Sequence, residues 1–386
     1  MKIIKLVILC SLVCLLLNAC DDNSTEGDTE YYPLLEVEAA SEYDLGFAVG
    51  ERFADNIHFS LDLNADLLLN IGDIIAIDSV YFYDHLLSTA QAEQPEQIAE
   101  LQGMCDASGA EFRSIFIFNI FGEILALYYG MQTRDIDIPS DLPLGCSDVL
   151  YKYENNIFLA HNEDGFAGLK DNMFIVKAKL PGKPEFISFS YPCLVLGVGP
   201  TINDAGIVLS NNFIQGTAGD ADGVPGYMVN RQLIEFSNIQ EITEFIATKR
   251  IANYLNCNIV SMDESRIVSI EMASDDYSLH EVSGLYAHTN HLVHQDMLSH
   301  PVNLDASTQE RYQTLQQLIS EYETHLQDVN LESMHSFLNA VAVESNPNGG
   351  LTTGATLSSS IFDFENMVWR LYFSDPKDNL YQDIEF

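Results

Sequence analysis

Basic residues are scarce in this chain. Seventeen Lys and Arg stand against 57 Asp and Glu, a formal net charge of −40. Nucleic-acid binding needs a basic footprint, and none is present. An acidic surface of this kind keeps a protein soluble and repels anions at long range. Cysteine is also sparse. Of seven, Cys10, Cys14 and Cys20 lie near the N-terminus, leaving Cys105, Cys146, Cys193 and Cys257. Four scattered cysteines in a large apolar-rich chain do not make a disulfide scaffold, which leaves a thiol free for chemistry. No Pro- or Ser-rich linker and no internal repeat interrupts the chain beyond the N-terminal region, so residues 33–386 are expected to form one compact domain.

The N-terminus reads as an export signal. Lys2 and Lys5 form a short basic region, and Leu6 to Leu17 is an apolar run of twelve broken only by Ser11. A bilayer span needs about 20 apolar residues, whereas this length suits a signal peptide over residues 1–19. The run ends in Leu17-Asn18-Ala19-Cys20, which resembles the lipobox of bacterial lipoproteins. The resemblance implies lipidation at Cys20 and anchoring to a membrane facing the periplasm or cell exterior; several acyl chains on one residue hold stably where one is marginal. Residues 20–32, acidic and polar around Asp21 to Glu30, read as a flexible tether.

The first half of the domain has helical periodicity. Asp44 to Leu69 carries Leu45, Val49, Phe53, Ile57 and Leu61 at helical spacing, after a start signal at Ser41 and Glu42. Glu93 to Met104 and Ile115 to Tyr129 read as further helices, the latter buried. The character changes at the proline-bracketed loop Pro139 to Gly145. Strands are then predicted at Val149–Tyr153, Ile157–Ala160, Met173–Leu180, Glu185–Tyr191 and Ile207–Phe213, the first two around a turn at Glu154-Asn155-Asn156. Helices follow from Pro225 to Phe236 and over Ile239–Ala247, then strands at Asn258–Ser261, Ile267–Ala273 and Leu285–Ala287. Two more helices (Ser307–Tyr322, Leu331–Val343) precede two closing strands within Ser358–Phe373. Grouped strands and helices suggest sheet layers covered by helices.

Three stretches carry chemistry: Gly145-Cys146-Ser147, Asn162-Glu163-Asp164 and His288-Thr289-Asn290-His291. Cys146 follows an exposed loop and precedes a strand. Glycine before it lets the thiol reach the preceding carbonyl. Cleavage there would give Cys146 a free α-amine, whose ordinary pKa of roughly 7.7–8.0 suits it to take the thiol proton. A small buried apolar residue is the competing reading of Cys146. His288, His291 and His294 have a spacing that a helical metal site could use. They follow a strand, however, and no nearby Cys or carboxylate completes a set, so no metal and no cofactor is expected.

These motifs resemble the penicillin acyltransferase family (acyl-coenzyme A:6-aminopenicillanic acid acyltransferase, or isopenicillin N acyltransferase), a branch of the N-terminal-nucleophile hydrolases. That family pairs Gly-Cys at a self-cleavage point with Asn-Trp-Asp downstream; here Asn162-Glu163-Asp164 places its Asp 18 residues after Cys146, with Glu163 departing from the usual Trp. The later His-x-Asn-His matches His288 to His291. Supporting matches are Asp44 to Gly50, Glu100 to Met104, Asn119 to Glu123, Asn203 to Ile207, Asn211-Asn212 and Gly223-Val224-Pro225 with Arg231. The resemblance covers roughly residues 40–375.

It implies a four-layer αββα sandwich of two antiparallel sheets covered by helices, cut between Gly145 and Cys146 into two chains that stay together as a heterodimer. Cys146 would be the nucleophile at the start of a central strand. Asp164 would orient the new α-amine and stay charged beside it, and Asn290 would donate its NH₂ to the oxyanion. Asn162, Glu163, Asn212, Arg231 and His291 would bind substrate or support these groups. The expected activity is hydrolysis of small linear N-acyl amides or short peptide-like substrates through a thioester. Acyl transfer from coenzyme A thioesters is the alternative, disfavoured because so acidic a chain attracts these anions poorly. A papain-like protease needs a helix after the cysteine, where Val149 to Tyr153 is β-prone. A non-catalytic ligand-binding lipoprotein has no need of an intact Cys146, Asp164 and Asn290.

Overall fold

The computed structural model describes residues 32–131, 136, 145–344 and 353–386. The signal peptide, Cys20, and residues 139–144 of the predicted loop lie outside them. Tyr32, the last residue assigned to the tether, is instead buried; its hydroxyl donates to the Leu357 carbonyl (2.8 Å) and its ring meets Phe189 edge-on. An apolar ring with one hydrogen-bonding end packs readily into such a site, so the folded unit begins at or before this residue.

The predicted long helix over Asp44–Leu69 is three: α1 (Glu42–Arg52), α2 (Ala54–Leu63) and α3 (Ala65–Ile77). Two residues break it. Phe53 leaves helical geometry to stack on Phe174, ring centroids 3.8 Å apart. Asn64 turns its side-chain NH₂ onto the Ser60 carbonyl (2.8 Å), the local competition that makes Asn a poor mid-helix residue. The next helix divides at Pro95: α4 (His85–Glu93) stops before it and α5 (Pro95–Ser108) starts on it, as a proline at the first helical position permits. Gly109 closes α5 at φ +76°. The apolar helix α6 (Phe112–Tyr129) is long and apolar enough to cross a membrane, yet it is mostly buried within the fold.

After α6 the chain builds two sheets. The first has eight strands, in the order β1 (Leu34–Glu38), β4 (Phe174–Lys179), β5 (Phe186–Ser190), β6 (Thr201–Asn203), β7 (Ile207–Ile214), β8 (Tyr254–Ser261), β9 (Arg266–Ala273) and β10 (Asp276–Glu281). The second has six: β11 (Gly284–His288), β2 (Gly145–Tyr153), β3 (Asn156–Phe166), β12 (Gly354–Asp363), β13 (Val368–Phe373) and β14 (Tyr381–Glu385). All pairings are antiparallel except β1 with β4, which is parallel. The edge strands β1, β10 and β14 have little burial; β10 and β14 carry few apolar side chains, and β1 turns only Leu35 and Val37 onto one half-buried face.

Helices α1–α6, with α7 (Gly226–Leu233) and α8 (Ile239–Ile246), share one core with the outer face of the eight-stranded sheet. A second core, with Leu150, Leu159, Val208, Val260 and Trp369, lies between the sheets. A third packs Val149 and Tyr151 against α9 (Ala306–Tyr322) and α10 (Leu331–Val341). The expected αββα sandwich is therefore the observed one.

Candidate active site

Strand alternation decides what each residue of β2 and β3 faces. Side chains at i and i+2 share a face, so Cys146, Asp148 and Leu150 point between the sheets while Val149 and Tyr151 point to α9 and α10. The tight turn at Glu154-Asn155 sets the hairpin register, with Glu154 at φ +53°. Cys146 then lies opposite Glu163, and Asp148 opposite His161. Four polar groups that are scattered in sequence thus share one buried face.

The Cys146 thiol donates to Glu163 Oε1 at 3.4 Å. Glu163 Oε2 lies 3.2 Å from His161 Nε2, and His161 Nδ1 lies 3.0 Å from Asp148 Oδ1. Asp148 is in turn fixed by the other sheet: the Ser210 hydroxyl donates to Oδ1 (2.7 Å), and the amides of Asn212 (2.6 Å) and Asn258 (2.9 Å) donate to Oδ2. Burial alone would raise Asp148, but the charge and hydrogen bond of His161, with those of Ser210 and Asn212, hold it below its ordinary value. Burial alone would likewise depress His161. The Asp148 carboxylate and the bonds around the ring overcome this and hold the imidazole well above its ordinary value. The thiol is pushed up to about 12 by burial and by the Glu163 carboxylate, against the pull of His161.

The backbone of Cys146 is held from the other side. Its N–H donates to Asn290 Oδ1 at 2.8 Å, while Asn290 Nδ2 donates to the Phe213 carbonyl at 2.9 Å. In the intact chain Asn290 therefore reaches Cys146 with its oxygen, not with the NH₂ expected for an oxyanion donor, because the neighbouring backbone group is itself a donor. Arg311, on α9, donates to the Cys146 carbonyl, to Ser147 Oγ (2.7 Å) and to Asn290 Oδ1 (2.8 Å). A Cβ on Gly145 would sit 2.9 Å from Arg311 Nη2 and 3.4 Å from Asn290 Oδ1, so this approach requires glycine.

Asp164 accepts from the Thr356 hydroxyl (2.6 Å) and stands 3.9 Å from Arg311 Nη1; its Oδ2 has no hydrogen-bond partner among the described residues. Burial raises its carboxyl above the ordinary value, with Arg311 opposing. The carboxylate–ammonium pair expected of Asp164 belongs to a cut chain; here Cys146 N is an amide that donates to Asn290. Cys146 opens onto a cleft walled by Leu67, Phe118, Phe121, Leu194, Phe213 and Tyr227, with Glu163 and Asp164 beside the thiol.

A sequence model of the family described as "Acyl-coenzyme A:6-aminopenicillanic acid acyl-transferase" matches residues 151–378, more than half of the chain. The chain belongs to this acyl-transferase family. It is 25% identical over 210 residues to the "Beta-alanyl-dopamine/carcinine hydrolase" of Drosophila melanogaster, a match covering 52% of this chain and 53% of that protein. The chain thus spans about half the length of the curated relative it matches. Among solved structures, it is similar to a mutant conjugated bile acid hydrolase from Clostridium perfringens (12% identity, TM-score 0.47, 62% of this chain and 92% of that one). It is also similar to penicillin V acylase from Agrobacterium tumefaciens (9% identity, TM-score 0.38, 59% and 82%).

Within this acyl-transferase-family chain some expected site residues lie elsewhere. Arg231 is fully buried, pairing with Glu100 (2.7 Å) and Glu235 (2.9 Å) where α7 meets α5; it does not line the cleft. Asn162, on the opposite face of β3 from Glu163, donates to the Leu338 carbonyl (2.9 Å) and accepts from Ser359 (2.5 Å). Both residues lie away from the cleft: Asn162 spends its whole amide on protein partners, and Arg231 spends Nε and Nη1 on two glutamates. Asn212 stands behind His161, on Asp148. His291 shares the Thr308 hydroxyl with the Asn290 backbone N–H and packs edge-on against Tyr312. His288 bonds Glu271 (2.8 Å) and His294 bonds Tyr286 (3.1 Å), so the three histidines do not converge. Among the described residues, the grouped metal-capable atoms are those of Cys146, His161 and Glu163, and of Glu42, Glu96 and Glu235.

The sequence reading missed Asp148, His161 and Arg311. The first two had a signal: the Glu154-Asn155 turn and period-two alternation set Asp148 beside Cys146 and His161 beside Glu163. Arg311 had none, being one base on a polar helix whose docking position is tertiary.

Proposed function

We propose that this chain is a cysteine N-terminal-nucleophile amidohydrolase, activated by its own cleavage between Gly145 and Cys146. One observation carries the reading. The bond after Gly145 lies at the start of an interior strand, its N–H held by Asn290 Oδ1, which Arg311 in turn holds together with the next carbonyl, while the thiol of the same residue opens into an apolar-walled cleft. A structural cysteine needs neither a gripped backbone nor a cleft.

After cleavage the Cys146 α-amine is the general base of turnover and the thiol attacks the acyl carbon of a small linear amide. Asp164 Oδ2 makes no hydrogen bond among the described residues, only the 3.9 Å ion pair with Arg311, which supports its role in holding that ammonium. Asn290 has a second N–H on Nδ2 beyond the one given to Phe213, and this is the oxyanion donor. The apolar and aromatic walls favour an apolar acyl group. Water, rather than an amine acceptor, releases the thioester: the name of the Drosophila relative is that of a hydrolase, and the net charge of −40 disfavours polyanionic coenzyme A thioesters. Lipidation at Cys20 and export are part of the proposal and rest on the N-terminal grammar.

A gel with mass analysis of both bands tests it. Wild-type protein should appear as one fragment ending at Gly145 and one beginning at Cys146, and Cys146→Ala as a single chain. An active preparation that stays uncut would overturn the mechanism.

A further inference from the structure

The proposed mechanism leaves one step without a base. Turnover uses the α-amine of Cys146, but in the uncut chain that nitrogen is an amide whose hydrogen is already donated to Asn290 Oδ1. It has no basic lone pair. The first reaction of the chain, attack of the thiol on the Gly145 carbonyl, must therefore send the thiol proton elsewhere. Resting on the self-cleavage reading above, we infer that Glu163 is the general base of self-cleavage, and that His161 and Asp148 position it.

The geometry supports this at each link. Glu163 Oε1 is the acceptor that the Sγ–H already meets, at 3.4 Å, on the same face of a paired strand. Its other oxygen is held by His161 Nε2 (3.2 Å), so the carboxylate cannot swing away from the thiol. His161 is held by Asp148, and Asp148 by Ser210, Asn212 and Asn258 of the opposite sheet. All of these groups are buried, where a hydrogen bond is electrostatically stronger than in water. Proton transfer moves one negative charge from the Glu163 carboxylate to sulfur, and the His161 ring lies against both groups, so the total charge beside it is unchanged.

The step balances as follows. The Sγ–H proton passes to Glu163 Oε1 as sulfur bonds to the Gly145 carbonyl carbon. The tetrahedral adduct collapses by breaking the C–N bond, and the proton returns from Glu163 to the leaving Cys146 nitrogen, which becomes the α-amine. The thioester left between Gly145 and Sγ is hydrolysed by water, releasing the Gly145 carboxylate and the free thiol. Glu163 is thus a catalytic residue of maturation, and the α-amine it creates takes over for turnover. A glutamate at this position, where the family motif often has tryptophan, is then a proton acceptor rather than only a different pocket wall.

The test compares full-length chains for the rate of self-cleavage. Glu163→Gln keeps the shape and removes the base; its cleavage should slow by about 10²-fold or more. Glu163→Ala opens a space beside the thiol, and added acetate or formate should restore cleavage in a saturable way, which a purely structural residue would not allow. Thermal melting of the uncut chains checks that both variants are folded, and Glu163→Gln decides if the alanine variant is not. His161→Gln should slow cleavage less than Glu163→Gln. A folded Glu163→Gln chain that cuts itself at the wild-type rate overturns the inference, as does a folded, slow Glu163→Ala chain that ignores carboxylates. Cutting of Cys146→Ala would instead bring down the self-cleavage reading beneath it.

Discussion

Gly145 and Cys146 are adjacent, and their constraints are opposite. Gly145 must stay small because any Cβ there meets the Arg311 guanidinium at 2.9 Å. Gly145→Ala should therefore displace Arg311 or Asn290 and leave most of the chain uncut on the gel. That uncut chain allows a second measurement. Burial holds the Cys146 thiol at about 12, so thiolate is scarce at pH 8. Its alkylation by iodoacetamide should be slow at that pH and rise about tenfold per pH unit toward the pKa, since only the thiolate reacts. A rate that levels off by about pH 9–9.5 would show an ordinary, unburied thiol. Asn290→Ala removes the proposed oxyanion donor. In any processed Asn290→Ala protein, kcat should fall about 10²–10³-fold while the thiol stays alkylatable, because the donor acts mainly on the charged transition state.

Elements carry these residues into place. The β2–β3 hairpin sets four groups on one face, and α9 brings Arg311 from more than 140 residues away to the Cys146 carbonyl. The breaks between α1, α2 and α3 belong to the same scale. They wrap three short helices over the sheet edge and bring Asn64 and Leu67 to the cleft. Phe53 makes the first break by stacking on Phe174 of β4. Phe53→Ala should cost about 3–5 kcal/mol of stability, the usual range for emptying a buried aromatic site. Urea unfolding of the uncut Cys146→Ala chain, with and without Phe53→Ala, measures it. A difference below about 1 kcal/mol would mean that the site collapses around the missing ring.

For the whole molecule, the bond at Gly145–Cys146 divides the chain in sequence but not in its cores. Strand β1, before the proposed cut, pairs along β4 after it, and α1–α6 share their core with the eight-stranded sheet. The two fragments should therefore co-elute on size exclusion without denaturant and separate only on unfolding; separation in native buffer would contradict this packing. Cys20→Ser should move the protein from the membrane fraction to the soluble one with unchanged amide hydrolysis, and a variant that partitions like wild type would remove the lipid anchor.

The residues of the sequence determined what local physics can decide. Period-two and helical spacing marked most interior strands and helices, and the Gly145-Cys146, Asp164 and Asn290 motifs marked the neighbourhood of the site. The hairpin turn and strand alternation even held the pairing of Cys146 with Glu163 and of Asp148 with His161, had they been read together. Edge strands β1, β10 and β14 escaped because one apolar face, or none, leaves little pattern. Only the tertiary structure decided that Arg231 and Asn162 lie away from the cleft, that Arg311 reaches the Cys146 carbonyl, and that Asn290 faces the Cys146 amide with its oxygen. Each depends on which side chains lie within about 3 Å across distant segments. That is set by the packing of two sheets and the docking of α9, and no local spacing encodes it.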